Sequence, residues 1–372
     1  MKAVITGGHH NSALVIAQRL RKEGFTIYWI GQKTSMAKDK NESAEFREVT
    51  KNKFSFYDLK TGKFYRTFNP FVLAKIPLGF FKALIFLLKI KPQIIISFGS
   101  YVAVPVVISG WFLRIPSVTH EQTQTGGWSN KAISPFVKKI FLTWKKTDPV
   151  FPSHKIEYTG LPLRKEISIK KTKKFDFPQN LPTLFIIGGK QGSHIINNQI
   201  FRALPQLLTK FNLIHQCGIT STHNDFQKAI NLRKTLNPKL RQRYKIDDYI
   251  DSNEIGAAFR NSHFVLSRSG AHITQEIAAL GKPAILIPYP YVPCLEQQKN
   301  AEILESKGIA KIISQNDLTA NLLLKTILNF YKNLENYKKN SSKAKEILIK
   351  NAEEKFIINL QKIINKNVQT DK

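Results

Sequence analysis

Short apolar runs of strand length alternate along the chain with stretches of helical period. Residues 2–6, 26–30, 93–97 and 115–119 in the first half are such runs, as are 183–187, 213–216, 264–266, 284–287 and 310–313 in the second. Near-continuous apolar runs bounded by turn residues are what strands show when both faces of a parallel sheet are covered. Between them the period changes. Leu14, Ala17 and Leu20 line one side of 12–22, and Ile273, Ile277 and Leu280 recur at i, i+4, i+7 on 271–280. Glycine-bearing turns join the two patterns, at Gly7-Gly8-His9-His10-Asn11, Gly99-Ser100-Tyr101, Gly188 to Ser193 and Arg268-Ser269-Gly270. Strand, turn and helix repeating in this way predict an α/β protein with two doubly wound, Rossmann-like domains. Helices are also expected around Phe226 and Ile255, and the chain after Leu318 reads as helical and basic. The lysine-rich segment 165–182, with two prolines, reads as a linker.

In open α/β sheets ligands meet the carboxyl ends of the strands, so the turns there carry the candidate chemistry. Gly188-Gly189-Lys190-Gln191-Gly192-Ser193 opens a helix and suits a diphosphate, because backbone N–H groups and the positive helix end face it. The turn ending in Gly270 offers the same, with Ala271 starting the helix. Glu276 lies beside that helix's apolar stripe. From periodicity it reads as a solvated residue, although a carboxylate with two acceptor oxygens also suits the paired hydroxyls of ribose. His9 reads equally as a turn histidine or a catalytic one. The strand at 115–119 delivers His120 and Glu121 to the same kind of edge.

Two cysteines, Cys217 and Cys294, exclude a disulfide scaffold and a four-cysteine metal site, and point to a reducing compartment. No secretory signal pattern opens the chain. A length of 372 residues and a net charge of +31 suit two domains meeting an anionic partner. Much of that excess is also explained by a composition rich in Lys, Asn and Ile, and the motifs of nucleic-acid binders are absent, so no nucleic acid is expected. The most apolar stretch, residues 70–91, is a poor spanning helix: Lys75, Lys82, Lys89, Pro77 and Gly79 interrupt it, and each central lysine costs about 2.5–3.5 kcal/mol on insertion. It reads either as a helix lying in an anionic membrane interface or as a core helix with surface lysines.

The run Arg268-Ser269-Gly270-Ala271 with Glu276, then a Gly-x-Pro strand, then Gln297-x-x-Asn300-Ala301, resembles the donor signature of the MurG family of peptidoglycan N-acetylglucosaminyltransferases. Thr6-Gly7-Gly8-His9, Phe98 to Val102, His120-Glu121-Gln122, Asn130-Lys131 and Gly188 to Asn197 follow the same family's order. The resemblance implies a GT-B architecture, with two Rossmann-like domains facing a cleft, 1–163 for the acceptor and membrane and 164–344 for UDP-GlcNAc. A C-terminal helix within 345–372 returns to the first. It implies inverting transfer of GlcNAc from UDP-GlcNAc to lipid I, giving lipid II for the cell wall and division. His9 is then the base, with His120 and Glu121 as alternates. Donor contacts fall to Arg164, Gly188, Gly189, Lys190, Gln191, Gly192, Asn197, Arg268, Ser269, Gly270, Ala271, Glu276, Gln297 and Asn300. Acceptor contacts fall to Thr6, Gly7, Gly8, Tyr101, Thr123 and Asn130. No cofactor or metal is implied; UDP-GlcNAc and lipid I are substrates, an anionic membrane surface and other cell-wall synthesis proteins are partners, and the place is the cytoplasmic face of the membrane.

The chain departs from the family pattern at Thr123, Leu161 and Lys190 and in its short first glycine turn. Those departures keep open another GT-B enzyme, a lipid glycosyltransferase or a sugar-nucleotide epimerase, and a sugar-nucleotide-binding protein without catalysis.

Overall fold

The computed structural model describes residues 1–34, 42–62, 75–145, 147, 150–169, 172–178, 180–218, 220 and 222–370. The chain forms two compact units, one of Met1–Leu163 with Ile349–Lys372, the other of Arg164–Leu348.

Among the described residues of the first unit seven strands run parallel: β1 Lys2–Thr6, β2 Thr26–Gly31, β3 Ser55–Asp58, β4 Ile94–Ser97, β5 Ser117–Glu121, β6 Lys139–Leu142 and β7 Ile156–Tyr158. Their order is β3-β2-β1-β4-β5-β6-β7, so the winding reverses between β1 and β4. Successive side chains enter opposite cores, as the strand period requires. Ala3, Ile5, Ile94 and Ile96 pack with Leu14 and Leu20 of the His10–Lys22 helix and with Phe356 and Leu360 of the Ala352–Thr370 helix. Val4 and Ile95 pack on the other side with Ala83, Leu87, Val106 and Val107, from the helices Lys75–Ile90 and Ala103–Phe112. The terminal helix starts at Ala352, later than expected from the sequence, and its Phe356 ring stacks on Phe98 with centroids 5.7 Å apart.

Among the described residues of the second unit six parallel strands, β8 Thr183–Ile187, β9 Asn212–Gln216, β10 Tyr244–Asp247, β11 Phe264–Ser267, β12 Ala284–Leu286 and β13 Ala310–Ile312, take the order β10-β9-β8-β11-β12-β13. Its winding reverses between β8 and β11. The linker expectation for 165–182 is corrected. Lys165–Ser168 is a 3-10 turn of the second unit, Phe175 is fully buried, and Lys174 Nζ reaches Asp247 Oδ1 at 2.7 Å and Glu254 Oε2 at 3.1 Å.

Of the apolar stretch 70–91, residues 70–74 lie outside the described residues and Lys75–Ile90 is helical. Gly79, Ala83, Leu87 and Ile90 face inward, while Leu78, Phe81, Ile85 and Leu88 form an exposed stripe at i, i+3, i+7, i+10, with Lys75, Lys82 and Lys89 exposed beside it. Among the described residues no helix is long and apolar enough to cross a membrane.

Candidate functional site

Both winding reversals carry glycine turns at the carboxyl edge of the sheet, where the two flanking crossovers diverge and leave a crevice. In the first unit Thr6 stands opposite Ser97, and the chain turns at Gly7 with φ 132°. A Cβ there would lie 2.7 Å from the Phe98 carbonyl carbon, so only glycine lets the two strand exits close up. His9 then starts the His10–Lys22 helix, whose first turn has no side-chain cap and no acidic residue. His9 Nδ1 is 2.7 Å from the Phe98 carbonyl oxygen. A carbonyl only accepts, so Nδ1 carries a proton, and in the neutral form of the ring the lone pair is on Nε2.

The same geometry corrects the two alternate bases. His120 is 1% exposed, donates from Nε2 to the Gly160 carbonyl at 2.9 Å, and packs among Phe98 and Phe356. It is a core histidine. Glu121 is equally buried and accepts four hydrogen bonds: from Thr123 N and Oγ1 at 2.8 and 2.7 Å on Oε1, and from Gly127 N and Asn130 Nδ2 at 2.6 and 2.9 Å on Oε2. It organises the loop after β5. Asn130 and Thr123, expected on an acceptor, serve that loop. Asn130 also donates to the His120 carbonyl at 3.1 Å and accepts from Thr119 Oγ1 at 2.7 Å. The Thr6 side chain is fully buried. Gly8 is exposed at the turn, and the half-buried Tyr101 hydroxyl donates to Gln32 Oε1.

In the second unit the turn Gly188 to Ser193 follows β8, and Gly192 has φ 77°. A Cβ on it would lie 1.9 Å from the Cys217 carbonyl oxygen, which makes this loop's shape dependent on glycine. The helices His194–Lys210 and Ala271–Leu280, starting after Ser193 and Gly270, both lack a side-chain cap and an acidic first turn. Two sets of unsatisfied N–H groups thus sit at neighbouring strand ends, a disposition that favours an anion. Lys190 and Gln191 occupy the tip of the first turn, both half-buried.

Arg268 departs from its expected role. Its Nη1 donates to the Ile287 and Pro288 carbonyls at 2.9 and 3.2 Å, and its Nη2 to Ser193 Oγ at 2.9 Å and Gln315 Oε1 at 2.6 Å. Burial brings its guanidinium down to about 10. It ties three strand exits together rather than offering its head to a diphosphate. Asn300, fully buried, donates to the Ser269 carbonyl at 3.1 Å and holds that turn instead of a sugar. Gln297 Oε1 accepts from Tyr289 N at 3.0 Å, and its carbonyl accepts from Ser269 Oγ at 2.7 Å. Asn197 is also internal. It donates to the Cys217 carbonyl and to Asp225 Oδ2 at 2.8 and 2.9 Å, with His215 Nε2 3.0 Å from its Oδ1.

Glu276 is 1% exposed, which corrects the solvated reading of it. Arg164 embraces it, Nε to Oε1 at 2.8 Å and Nη2 to Oε2 at 3.2 Å. Burial raises this carboxyl, but the charges of Arg164 and His272 more than offset that and hold it at about 2. His272, 3.8 Å from Oε1, is kept below the usual imidazole range by burial; Glu276 pulls the other way, and Arg164 and Lys190 add to the lowering. Arg164, Lys190, His272 and Glu276 therefore converge.

Sequence reasoning missed Gln216 and Ser252. Gln216 Nε2 donates to the Gly189 carbonyl at 3.0 Å while its Oε1 accepts from Ile250 N at 3.0 Å, so it fixes the glycine turn against the β10 exit. Ser252 Oγ lies 3.5 Å from Arg164 Nη1. A polar residue ending an apolar strand, as Gln216 does on β9, was the available signal. Among the described residues no three His, Cys, Asp or Glu side chains are arranged to hold a metal ion.

Residues 3–142 match the glycosyltransferase family 28 N-terminal domain, and residues 183–357 match the glycosyltransferase family 28 C-terminal domain. The chain belongs to glycosyltransferase family 28. Among its family 28 relatives, a Bacillus thuringiensis subsp. konkukian protein is 31% identical over 91% of this chain and 93% of its own length. That protein is named UDP-N-acetylglucosamine–N-acetylmuramyl-(pentapeptide) pyrophosphoryl-undecaprenol N-acetylglucosamine transferase 2. A Clostridium perfringens protein with the same name, without the final numeral, is 33% identical over 90% of this chain and 92% of its own. Among solved structures, Acinetobacter baumannii MurG superposes with a TM-score of 0.69 at 23% identity, covering 97% of this chain and 99% of its own. The UDP-GlcNAc 2-epimerase of Neisseria meningitidis gives 0.67 at 17%, covering 97% and 100%. At those identities the two structures establish a common fold, the paired α/β architecture that family 28 shares with the epimerases.

Proposed function

We propose that this family 28 chain is an inverting, UDP-GlcNAc-dependent hexosyltransferase that moves N-acetylglucosamine onto the 4-hydroxyl of the muramoyl sugar of lipid I, giving lipid II. The observation that carries the reading is the end-to-end likeness, at above 30% identity, to relatives whose names state that donor and that acceptor. The residues fit the chemistry. In the second unit, the uncapped helix starts after Ser193 and Gly270, with Lys190, receive the diphosphate, and Glu276 receives the ribose hydroxyls. In the first, His9 Nε2 takes the proton of the acceptor hydroxyl as its oxygen bonds to the anomeric carbon. The bond from that carbon to the phosphate oxygen breaks on the opposite face, and UDP leaves with the electron pair. Inversion follows.

The acceptor of such a reaction stays in a bilayer, so the chain works at the membrane's cytoplasmic face as a peripheral protein. The stripe Leu78, Phe81, Ile85 and Leu88 supports this reading, with Trp111 and Phe112 exposed at the end of the adjoining helix and the three lysines beside the stripe. Transfer of labelled sugar from UDP-GlcNAc to a lipid I analogue tests the function.

A further inference from the structure

The loop after β12 carries aromatic rings into solvent beside the turn that follows β11. Tyr291 is 63% exposed and Tyr289 39%, and their rings meet edge to face with centroids 5.5 Å apart. The Arg268 guanidinium lies 5.4 Å from the centre of the Tyr289 ring, which fixes that ring as a base for the other. Both ends of the loop are stapled to the Arg268-Ser269 turn through Gln297, which accepts from Tyr289 N and, through its carbonyl, from Ser269 Oγ. Between them Cys294 and Leu295 both take left-handed backbone, φ 55° and 51°. Residues with side chains avoid that region, and consecutive instances mark a conformation held by its surroundings, a feature that gathers at ligand sites.

An exposed aromatic pair fixed in this way is open to a partner with an apolar face and a polar rim. A hexose ring is such a partner: its axial C–H bonds pack on an aromatic face, and its hydroxyls reach groups at the edge. We propose that Tyr291, backed by Tyr289, is a specificity-determining residue that stacks on the hexose ring of the nucleotide-sugar donor. This rests on the reading of the chain as a UDP-GlcNAc-dependent transferase and adds the group that separates UDP-sugar from UDP.

The test is titration of the parent, Tyr291→Ala and Tyr291→Phe with UDP-GlcNAc and with UDP. Stacking predicts that Tyr291→Ala binds UDP-GlcNAc about three- to tenfold more weakly, binds UDP as the parent does, and that Tyr291→Phe matches the parent with both. Equal losses for UDP and UDP-GlcNAc would make the ring a support for the loop and overturn the proposal. So would an unchanged UDP-GlcNAc affinity in Tyr291→Ala, or a Phe variant as weak as the Ala one. A parent that binds UDP but not UDP-GlcNAc overturns the donor reading itself, and the proposal with it.

Discussion

The guanidinium of Arg164 and the carboxylate of Glu276 lie edge to edge, both Glu276 oxygens engaged, although 112 residues separate the two in sequence. A carboxylate has about four lone-pair sites, so the two that Arg164 does not take are the ones proposed for the ribose hydroxyls, while Arg164 keeps the group ionised and aimed. Glu276→Ala therefore carries two losses. Donor affinity falls more than tenfold, and loss of the carboxylate from beside the largely buried Arg164 guanidinium costs about 3 kcal/mol of stability. The double variant Arg164→Met with Glu276→Leu separates them: thermal stability returns and UDP-GlcNAc binding does not. A double variant that binds the donor as the parent does would remove Glu276 from the site.

His9→Ala is expected to keep UDP-GlcNAc affinity within about twofold, because the proposed donor contacts are residues of the second unit, and to lose about 10²–10⁴ in kcat. Stopped-flow or steady-state turnover beside a donor titration reads both. Normal turnover in this variant would send the search for the base elsewhere in the first unit.

Glu121→Ala has a different signature. Removing the carboxylate orphans donors from Thr123, Gly127 and Asn130, at a cost of about 3 kcal/mol, so the variant melts early. Measured well below its melting point, its kcat stays within about threefold of the parent's. A variant with unchanged melting and abolished turnover would restore Glu121 as a candidate base.

The two-domain α/β architecture was legible because central parallel strands, buried on both faces, read as apolar runs. β3, β7 and β10 did not stand out, being sheet edges with half-exposed side chains; β6, inside the sheet, was obscured by the lysines before it. The turns could be located because glycine is obligatory where Gly7 and Gly192 approach neighbouring backbone. What sequence does not encode locally is where a polar side chain points. His120, Glu121, Asn130, Asn197, Arg268 and Asn300 all occupy functional-looking motifs, and all are bound to protein partners that shape the site. The Arg164–Glu276 pairing is non-local and could not be read from spacing.

The helix Lys75–Ile90 predicts a two-part membrane response. Replacing Lys75, Lys82 and Lys89 by Gln removes about 1 kcal/mol of attraction each, so binding to anionic vesicles falls about a hundredfold at low salt and binding to neutral vesicles changes little. Replacing Leu78, Phe81, Ile85 and Leu88 by Ser lowers binding to both. Co-sedimentation across a salt series decides it. Parent-like binding by both variants would assign the stripe another role.

His215 gives the second unit an acid-sensitive point. Burial, opposed by Asp225, brings this imidazole from 6.5 down to about 3. The unfolded chain therefore takes up a proton below pH 6.5 that the folded chain refuses until about pH 3, and stability is lost as pH falls through that window. Between pH 6.5 and 5 the loss from this group is about 1–2 kcal/mol. His215→Phe should start less stable, since Asn197 Oδ1 and the Tyr244 hydroxyl lose their partner, yet change less over the same pH interval. Parallel pH dependences would exclude His215 as the cause.

The most direct measurement incubates the chain with UDP-GlcNAc labelled in the sugar, with and without a lipid I analogue in vesicles, and separates the products. The account predicts label in a lipid-linked disaccharide, formed only with the acceptor, with inverted configuration at the anomeric carbon and one UDP released per transfer. Label recovered as an epimer or as free sugar, or donor that binds and never turns over with lipid I present, would contradict it.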